Sequence, residues 1–317
     1  MNKKSVTKFE RKHILIYGCG TIGSLFACYL SLAGHRISVY ARGNRLIELQ
    51  EKGLRYNFNE LVTSKRLRSK NSSNFCAKVQ VRSSLDLIHD PIDYVFLTVR
   101  YGQVPQALRE IENELNSVAP VVIFSNNLGS YGNWQSILEN NRLIIGFPGA
   151  GGFIREGILY GSVTPSWLQK TTIGEISGIK TRRCRNLIKL LNNAQIPSVY
   201  CSNMKAWQLT HVALILPLGN AFIESGSDNK MTARNSSLIK KITQKIQSNL
   251  NKIRESGERI IPRRYALLRL LPEFIICLGL KILIGSSIGD IFMYRHVKNA
   301  SSEIMKLNKG FEQYFER

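Results

Sequence analysis

The residues with the clearest chemical role are glycines near the start of the chain. An apolar run at residues 13–17 leads into Gly18, Cys19, Gly20, Thr21, Ile22 and Gly23. In a GxGxxG loop the first glycine allows a sharp turn, the second lets a phosphate approach the backbone, and the third lets the next helix pack against the sheet. The N–H groups at the start of that helix attract phosphate oxygens. We therefore predict that these six residues bind the pyrophosphate of a dinucleotide; a glycine-rich turn without a nucleotide is the alternative.

The end of the second predicted strand indicates which dinucleotide binds. NAD sites usually carry an acidic residue there, which holds the ribose 2′-hydroxyl. This chain has Arg42 instead, and its next acidic residue is Glu48. A guanidinium offers a planar fork of donors that suits a 2′-phosphate. The sequence thus favours NADP(H) over NAD; a solvated loop arginine is the other interpretation of Arg42.

These residues need a sheet whose strands end at a common edge. Continuous apolar runs at residues 93–99, 120–124 and 142–147 are typical of buried parallel strands, and helical patterns alternate with them. We predict an α/β fold with a Rossmann-type, doubly wound parallel sheet. Ligands of such sheets bind beyond the carboxyl ends of the strands, which places Arg100 and Asn126 near the cofactor.

The pattern changes from about residue 179, where helical spacing becomes dominant. We therefore predict an NADP-binding domain at residues 1–178 and an all-helical domain for substrate binding and dimerisation at residues 179–317. A homodimer is one expected state of the protein. A chain of 317 residues is long enough for two such domains with separate cores.

Composition narrows the class of protein. The chain is 44% hydrophobic and 21% charged, which is typical of a folded globular protein. Six cysteines show no CxxC pair and no metal-ligand spacing, so we expect reduced thiols in a cytoplasmic protein without a metal site. Residues 1–12 lack the apolar core of a secretory signal. The most apolar region, residues 266–284, is interrupted by charged residues and a proline, which predicts a buried or interface helix pair and no membrane span.

The net charge of +22 is spread along the chain. Residues 1–70 hold 14 basic and 4 acidic residues, residues 71–199 hold 12 and 9, and residues 200–317 hold 18 and 9. The densest basic cluster is at residues 65–70. No nucleic-acid-binding motif accompanies the charge, so we expect no specific nucleic-acid partner. Any affinity for duplex DNA should collapse as the salt concentration rises.

Taken together, several segments resemble the ketopantoate reductase (2-dehydropantoate 2-reductase) family. They are residues 18–23, 41–45, 93–100, 126–129, 149–152, 173–175, 204–211 and 261–262, with His296, Ala300, Glu303, Met305 and Leu307. The resemblance implies an N-terminal Rossmann domain, a C-terminal helical domain and an active site in the cleft between them. It also implies NADPH-dependent reduction of a 2-oxo acid to a 2-hydroxy acid, with a role in pantothenate biosynthesis.

The resemblance also implies roles for individual residues at the cofactor. Arg42 matches the position at the adenosine 2′-phosphate. Arg100 takes a position where the family usually has lysine, close to the cofactor phosphates. Asn126 matches an asparagine that contacts the cofactor near the nicotinamide, and Asn127 replaces a glycine that is usual in the family.

The chain departs from the family at the catalytic position. The family's catalytic lysine lies two residues after a tryptophan, and here Trp207 is followed by Leu209 at that position. Leucine can neither polarise a carbonyl nor supply a proton. The family's substrate-binding asparagine corresponds to Ala213. Lys205, one helical turn before Leu209, and His211 are the residues that we predict to compensate.

Two residues are further candidates for substrate contact. Asn220 lies almost three helical turns after Leu209, and Glu303 matches an acidic residue near the family's substrate site. A solvated helix glutamate is the alternative for Glu303, and a structural histidine is the alternative for His211. The sequence therefore leads to two hypotheses: an NADPH-dependent 2-oxo acid reductase, or a catalytically impaired NADP(H)-binding homologue that acts as a sensor or scaffold.

Overall fold

The structure is a computed structural model that describes residues 10–57, 75–139, 141–299 and 301–316, with only the backbone of residues 296 and 299. The basic cluster at residues 65–70 and most of the polar N-terminal stretch lie outside the described residues. The strands are β1 (His13–Tyr17), β2 (Arg36–Tyr40), β3 (Leu54–Asn57), β4 (Phe75–Ala77), β5 (Gln80–Arg82), β6 (Tyr94–Leu97), β7 (Val121–Phe124), β8 (Leu143–Phe147), β9 (Ala150–Arg155), β10 (Ile158–Val163), β11 (Thr171–Gly174) and β12 (Ser198–Tyr200).

The helices are α1 (Thr21–Leu32), α2 (Gly43–Lys52), α3 (Val104–Glu114), α4 (Gly132–Gln135), α5 (Arg182–Asn193), α6 (Met204–Ser225), α7 (Asn229–Arg234), α8 (Ser236–Glu255), α9 (Glu273–Gly285), α10 (Arg295–Asn299) and α11 (Ser301–Phe315). Shorter helical pieces are the 3₁₀ turns Tyr101–Gln103 and Arg263–Arg269, the turn Ser287–Gly289 and the π-helical stretch Asp290–Tyr294.

An eight-stranded sheet organises the N-terminal part, in the order β12-β11-β8-β7-β6-β1-β2-β5. Its neighbouring strands are parallel except for the antiparallel pair β8 and β11. The predicted Rossmann-type sheet is confirmed. Both of its faces are covered: Ile14 and Ile16 of β1 pack into the core cluster with α1, whereas Leu15 and Tyr17 pack into the cluster with α3. Burial on two faces explains why these strands read as continuous apolar runs.

A second sheet, in the order β4-β3-β10-β9, was not predicted from the sequence. Helix α1 packs between it and the large sheet, and Tyr29 of α1 lies 6.3 Å, ring to ring, from Tyr56 of β3. The tight β9–β10 hairpin turns at Glu156 and Gly157, which both have positive φ. This arrangement covers the face of α1 that does not contact the large sheet.

The sheet domain continues beyond the predicted boundary at residue 178. Helix α5 buries Cys184, Leu187 and Leu191 in the same core as α1, and β12 extends the large sheet next to β11. The helical part therefore begins with α6, after Tyr200. The boundary was predicted too early because α5 is amphipathic, and the spacing of apolar residues is the same in a helix that packs on a sheet as in a helix of a bundle.

Helix α6 is the centre of the helical part. Its N-cap residue, Asn203, accepts a hydrogen bond from the Ala206 N–H, and Gly226 ends the helix with positive φ. By length and composition α6 could cross a membrane, as could α9 together with the bent segment that follows it. However, 67% of the apolar window of α6 is buried against the rest of the protein, as expected of a core helix.

Candidate active site

The glycine loop lies at the carboxyl end of β1, as predicted. Gly18 has a φ of +93°, donates its N–H to the Tyr40 carbonyl at 3.1 Å and accepts a hydrogen bond from the Thr98 hydroxyl at 2.6 Å. A Cβ on Gly23 would lie 2.1 Å from the Gly18 carbonyl oxygen. Both glycines are therefore required by the backbone itself: Gly18 for its conformation, and Gly23 for the close packing of α1.

Gly20 differs from its two neighbours. No heavy atom lies within 4 Å of the position that a Cβ on Gly20 would occupy, and Gly20 is the N-cap of α1 without a side-chain cap. The first turn of α1, which includes Thr21 and Ile22, carries no acidic residue. The loop thus presents open space in front of uncapped backbone N–H groups, which is the arrangement that a pyrophosphate requires. The residues present fit a dinucleotide.

Cys19 contributes its backbone to this loop, because its side chain is buried. Its Sγ lies 3.2 Å from the Ser24 hydroxyl oxygen, and burial raises the pKa of the thiol. Arg45 holds the outside of the loop: its Nε donates to the Cys19 carbonyl at 2.9 Å and its Nη2 donates to Ser24 Oγ at 3.1 Å. Sequence reasoning gave Arg45 no role, although it lies three residues after Arg42 in a segment that resembles the family.

Arg42 lies two residues after the end of β2, at the edge predicted for the 2′-phosphate. Its guanidinium forms an ion pair with Glu110 of α3 at 2.9 Å and lies 6.0 Å from the centre of the Tyr40 ring. The same carboxylate accepts a hydrogen bond from Tyr17, and burial together with this contact raises the pKa of the Tyr17 hydroxyl. The Arg42 side chain is 49% exposed, so it can still contact a ligand beside the loop.

Helix α11 lies across the carboxyl ends of two neighbouring strands. Asn126, which follows β7, donates its side-chain N–H to Glu303 at 2.9 Å. Its own Oδ1 is buried and accepts no hydrogen bond from the described residues. Asn127 is fully buried and closes the loop through two hydrogen bonds with the backbone of Ser130. The structure thus brings together Asn126 and Glu303, which are 177 residues apart.

A second contact of α11 was missed by sequence reasoning. Lys306, one turn after Glu303, is exposed, and its Nζ would lie 3.3 Å from a Cβ on Gly102. Gly102 belongs to the 3₁₀ turn that follows Arg100, which is itself exposed at the end of β6. Lys306 and Arg100 therefore place two cations at the same edge as the glycine loop. The spacing of Glu303 and Lys306 on one helix face was the available signal.

Lys205 lies on the side of α6 that faces the Asn126 loop. Its side chain packs over Gly129, and its ammonium pairs with Glu258 at 2.6 Å. It also lies 5.6 Å from the centre of the Tyr314 ring. The hydrogen bond to Glu258 raises the pKa of Lys205. Lys205 is therefore a cation that is suited to holding a negative charge.

His211 lies on a different side of the helix. Its ring stacks on Trp207 at 5.3 Å and contacts Phe147 at 4.1 Å, centre to centre. It lines a cavity of about 390 Å³ that also includes Trp167 and Arg264. Lys205 and His211 therefore do not converge on one point.

The two positions that replace family residues are both closed to solvent. Leu209 and Ala213 are 0% exposed, and they pack with Leu128 in the core of the helical part. Asn220, a predicted substrate contact, pairs its amide with Asn308 of α11 in both directions, at 3.1 and 2.6 Å. This reciprocal pair ties α6 to α11, so the structure gives Asn220 a role in packing. Among the described residues, no group of three metal-ligating side chains is present.

Comparison with known proteins agrees with this architecture. Residues 14–178 match the sequence model of the ketopantoate reductase PanE/ApbA family. A comparison with curated proteins found no match.

Solved structures resemble the whole chain. A 2-dehydropantoate 2-reductase from Geobacter metallireducens GS-15 has 13% identity and a TM-score of 0.65, over 93% of this chain and 99% of that one. The corresponding enzyme from Methylococcus capsulatus has 16% identity and a TM-score of 0.60, over 96% and 98%. A D-mandelate dehydrogenase with NADH and anilino(oxo)acetate has 13% identity and a TM-score of 0.65, over 95% and 99%. At these identities the likeness shows a shared fold.

Proposed function

Because the chain belongs to the ketopantoate reductase PanE/ApbA family, we propose that it binds NADP(H) and reduces a 2-oxo acid to the 2-hydroxy acid. Membership supports an oxidoreductase that acts on a CH–OH/C=O pair with a nicotinamide cofactor. The observation that carries the finer proposal is the hydrogen bond between Asn126 and Glu303, at 2.9 Å. It joins the two parts of the chain at the carboxyl edge of the sheet, two strands away from the glycine loop.

The cofactor would be held by the glycine loop and the surrounding cations. Gly20 and the uncapped start of α1 suit the pyrophosphate, and Arg42 suits the 2′-phosphate of NADPH. Arg42 would have to share or leave its contact with Glu110 when a phosphate binds. The D-mandelate dehydrogenase structure contains NADH, so the preference of this chain for NADPH rests on Arg42.

The reaction needs positive charge where the product oxygen forms. When bound, NADPH supplies the hydride to the carbonyl carbon. The chain must then stabilise a developing alkoxide and provide its proton. Two lysines are candidates for that charge. Lys205 packs over Gly129, three residues after Asn126, and Lys306, one helical turn after Glu303, lies close to Gly102. Lys205 would supply positive charge, which its hydrogen bond to Glu258 favours by raising its pKa.

A specific observation favours the second candidate function, NADP(H) binding without efficient turnover. Leu209 is fully buried among apolar side chains, so the position of the family's lysine carries no group that could polarise a carbonyl or supply a proton. A positioned proton donor typically contributes roughly 10²–10⁴-fold to the rate. We therefore expect the protein to bind NADPH and to reduce ketopantoate slowly.

The experiment is NADPH oxidation at saturating cofactor with a panel of 2-oxo acids that includes ketopantoate. Lys205→Ala should abolish the slow wild-type rate if Lys205 supplies the charge, and Leu209→Lys should raise the rate if the introduced ammonium reaches the cleft. His211→Ala is the comparison variant, because His211 lies on another side of α6. Full wild-type activity that is unchanged by Lys205→Ala would contradict this placement of the charge. A loss caused by His211→Ala alone would move the proton donor to the Trp207 side of the helix.

A further inference from the structure

One stretch of the helical part exposes an unusual amount of apolar surface. Sixteen large apolar side chains are exposed among the described residues, and seven of them lie within residues 267–282. These seven form what we call the apolar face: Leu267, Leu270, Leu271, Phe274, Ile275, Leu278 and Ile282. Phe274 is 72% exposed and Ile282 67%. One side of α9 is thus buried, and the exposed side is where the sequence prediction of an interface helix stays a prediction.

The apolar face is continuous because of helical spacing. Phe274, Leu278 and Ile282 follow one another at intervals of four residues along α9, while Ile276 and Ile284 turn towards the core. Leu267 in the preceding 3₁₀ segment and Leu270 and Leu271 just after it add three leucines before the start of the helix. A single exposed leucine needs no explanation, whereas a contiguous apolar patch marks an interaction site.

The positive charge of the helical half is concentrated in the segment of the chain that contains this face. Residues 229–285, which include α7, α8 and α9, hold 12 basic and 3 acidic residues. The rest of residues 200–317 holds 6 basic and 6 acidic residues and is therefore neutral overall. Contacts fix two of the lysines beside α9: Lys240 pairs with Glu273 at 3.6 Å, and Lys281 donates to Ser236 at 2.9 Å. Lys240 and Lys281 thus border the apolar face, within a segment that has an excess of basic residues.

We propose that the apolar face docks on the surface of an anionic lipid bilayer. A helix with large apolar side chains on one face and basic residues at its border lies in the plane of a membrane interface, where its apolar side chains enter the lipid and the basic residues contact anionic headgroups. A second copy of the chain fits less well. A two-fold contact through this face would bring two segments with the same excess of positive charge against each other.

The test is co-sedimentation of the full-length protein with lipid vesicles. Vesicles of phosphatidylcholine alone are compared with vesicles that contain about one third phosphatidylglycerol, at roughly 0.15 M salt. We expect sedimentation with the anionic vesicles and little with the neutral ones. The double variant Phe274→Asp/Leu278→Asp should lower the bound fraction by roughly tenfold or more. The matched control is Val118→Asp, because Val118 is 88% exposed but lies outside the apolar face; it should bind like the wild type.

A second pair of substitutions keeps the test valid if the aspartate variant fails to fold. Lys240→Gln/Lys281→Gln leaves the apolar side chains in place and should weaken binding to anionic vesicles only. The proposal is overturned if the wild type does not sediment with anionic vesicles, or if both double variants bind as tightly as the wild type. It is also overturned if sedimentation equilibrium shows that the wild type is a dimer and the aspartate variant a monomer, while neither protein binds vesicles. The apolar face would then be an interface with a second copy of the chain.

Discussion

The substitution Gly20→Ala separates cofactor binding from folding in this protein. Gly20 has a φ of −73°, which alanine adopts readily, and a Cβ there would meet no heavy atom within 4 Å. Alanine is a poorer N-cap than glycine, which should lower the free energy of unfolding by up to about 1 kcal/mol. Alanine also restricts the unfolded chain, which should raise the free energy of unfolding by roughly 0.4–1 kcal/mol. The two effects nearly cancel, so the free energy of unfolding should change by no more than about 0.5 kcal/mol.

Cofactor binding should respond much more strongly to the same methyl group. The open space at Gly20 is where a pyrophosphate would approach the backbone, and the methyl group would occupy it. We expect NADPH affinity to fall at least about tenfold, which corresponds to about 1.4 kcal/mol. Gly23→Ala cannot replace this test, because its Cβ would lie 2.1 Å from the Gly18 carbonyl oxygen and would disturb the fold itself.

The assays are calorimetric titration with NADPH and urea unfolding. Gly279→Ala is the control, because Gly279 also has open space around its Cβ position but lies on α9 in the helical part. It should leave NADPH affinity unchanged. NADPH binding by Gly20→Ala with wild-type affinity, in a folded protein, would refute the assignment of the glycine loop as the pyrophosphate site.

Three further predictions follow from the site. Arg42→Ala should weaken NADPH binding by roughly 1.5–3 kcal/mol and leave NADH binding nearly unchanged, as measured by titration; equal affinities of the wild type for both cofactors would contradict the role of Arg42. Leu209→Lys places a charge at a position with 0% exposure and should lower the free energy of unfolding by roughly 3–5 kcal/mol in urea; an unchanged value would mean that the helical core opens at this point. Lys205→Met should destabilise the protein by less than about 1 kcal/mol at neutral pH, because the pair with Glu258 is partly exposed. Lys205 lowers the pKa of Glu258 from its usual 4.5, so the stability lost in Lys205→Met should be fully present above pH 4.5 and disappear as the pH falls through the lowered pKa. If the variant is still less stable than the wild type in acid, the loss comes from packing over Gly129 and not from the ion pair.

Local sequence patterns were sufficient to predict where the glycine loop and Arg42 lie in the fold. The glycine loop and Arg42 lie within one strand–helix–strand unit, so spacing alone places them correctly. The pairing of Asn126 with Glu303 joins residues 177 positions apart, and the resemblance to a family suggested each residue separately without the contact between them. Lys306 and Arg45 were missed because their roles depend on what the folded chain places opposite them.

Two other differences between the sequence predictions and the structure have geometric reasons. Lys205 and His211 are six residues apart on one helix, so they project about 120° away from each other, and helical geometry alone argues against a shared target. The second sheet escaped notice because its strands are short and β9 begins with three small residues, Ala150 to Gly152. Its hairpin turn, Glu156-Gly157, is a weaker signal than Asn-Gly.

The most direct test of 2-oxo acid reduction is transfer of deuterium from labelled NADPH. The protein is incubated with a panel of 2-oxo acids and NADPH in which both hydrogens on the transferring carbon of the nicotinamide are deuterium, and the products are analysed by mass spectrometry. Because product accumulates, this measurement detects turnover that is too slow for absorbance. We predict a 2-hydroxy acid with one deuterium, which the wild type forms and which Gly20→Ala forms more slowly when NADPH is below saturation. Absence of labelled product from every 2-oxo acid, while calorimetry shows that NADPH is bound, would contradict the reductase and leave a protein that binds NADP(H) without turnover.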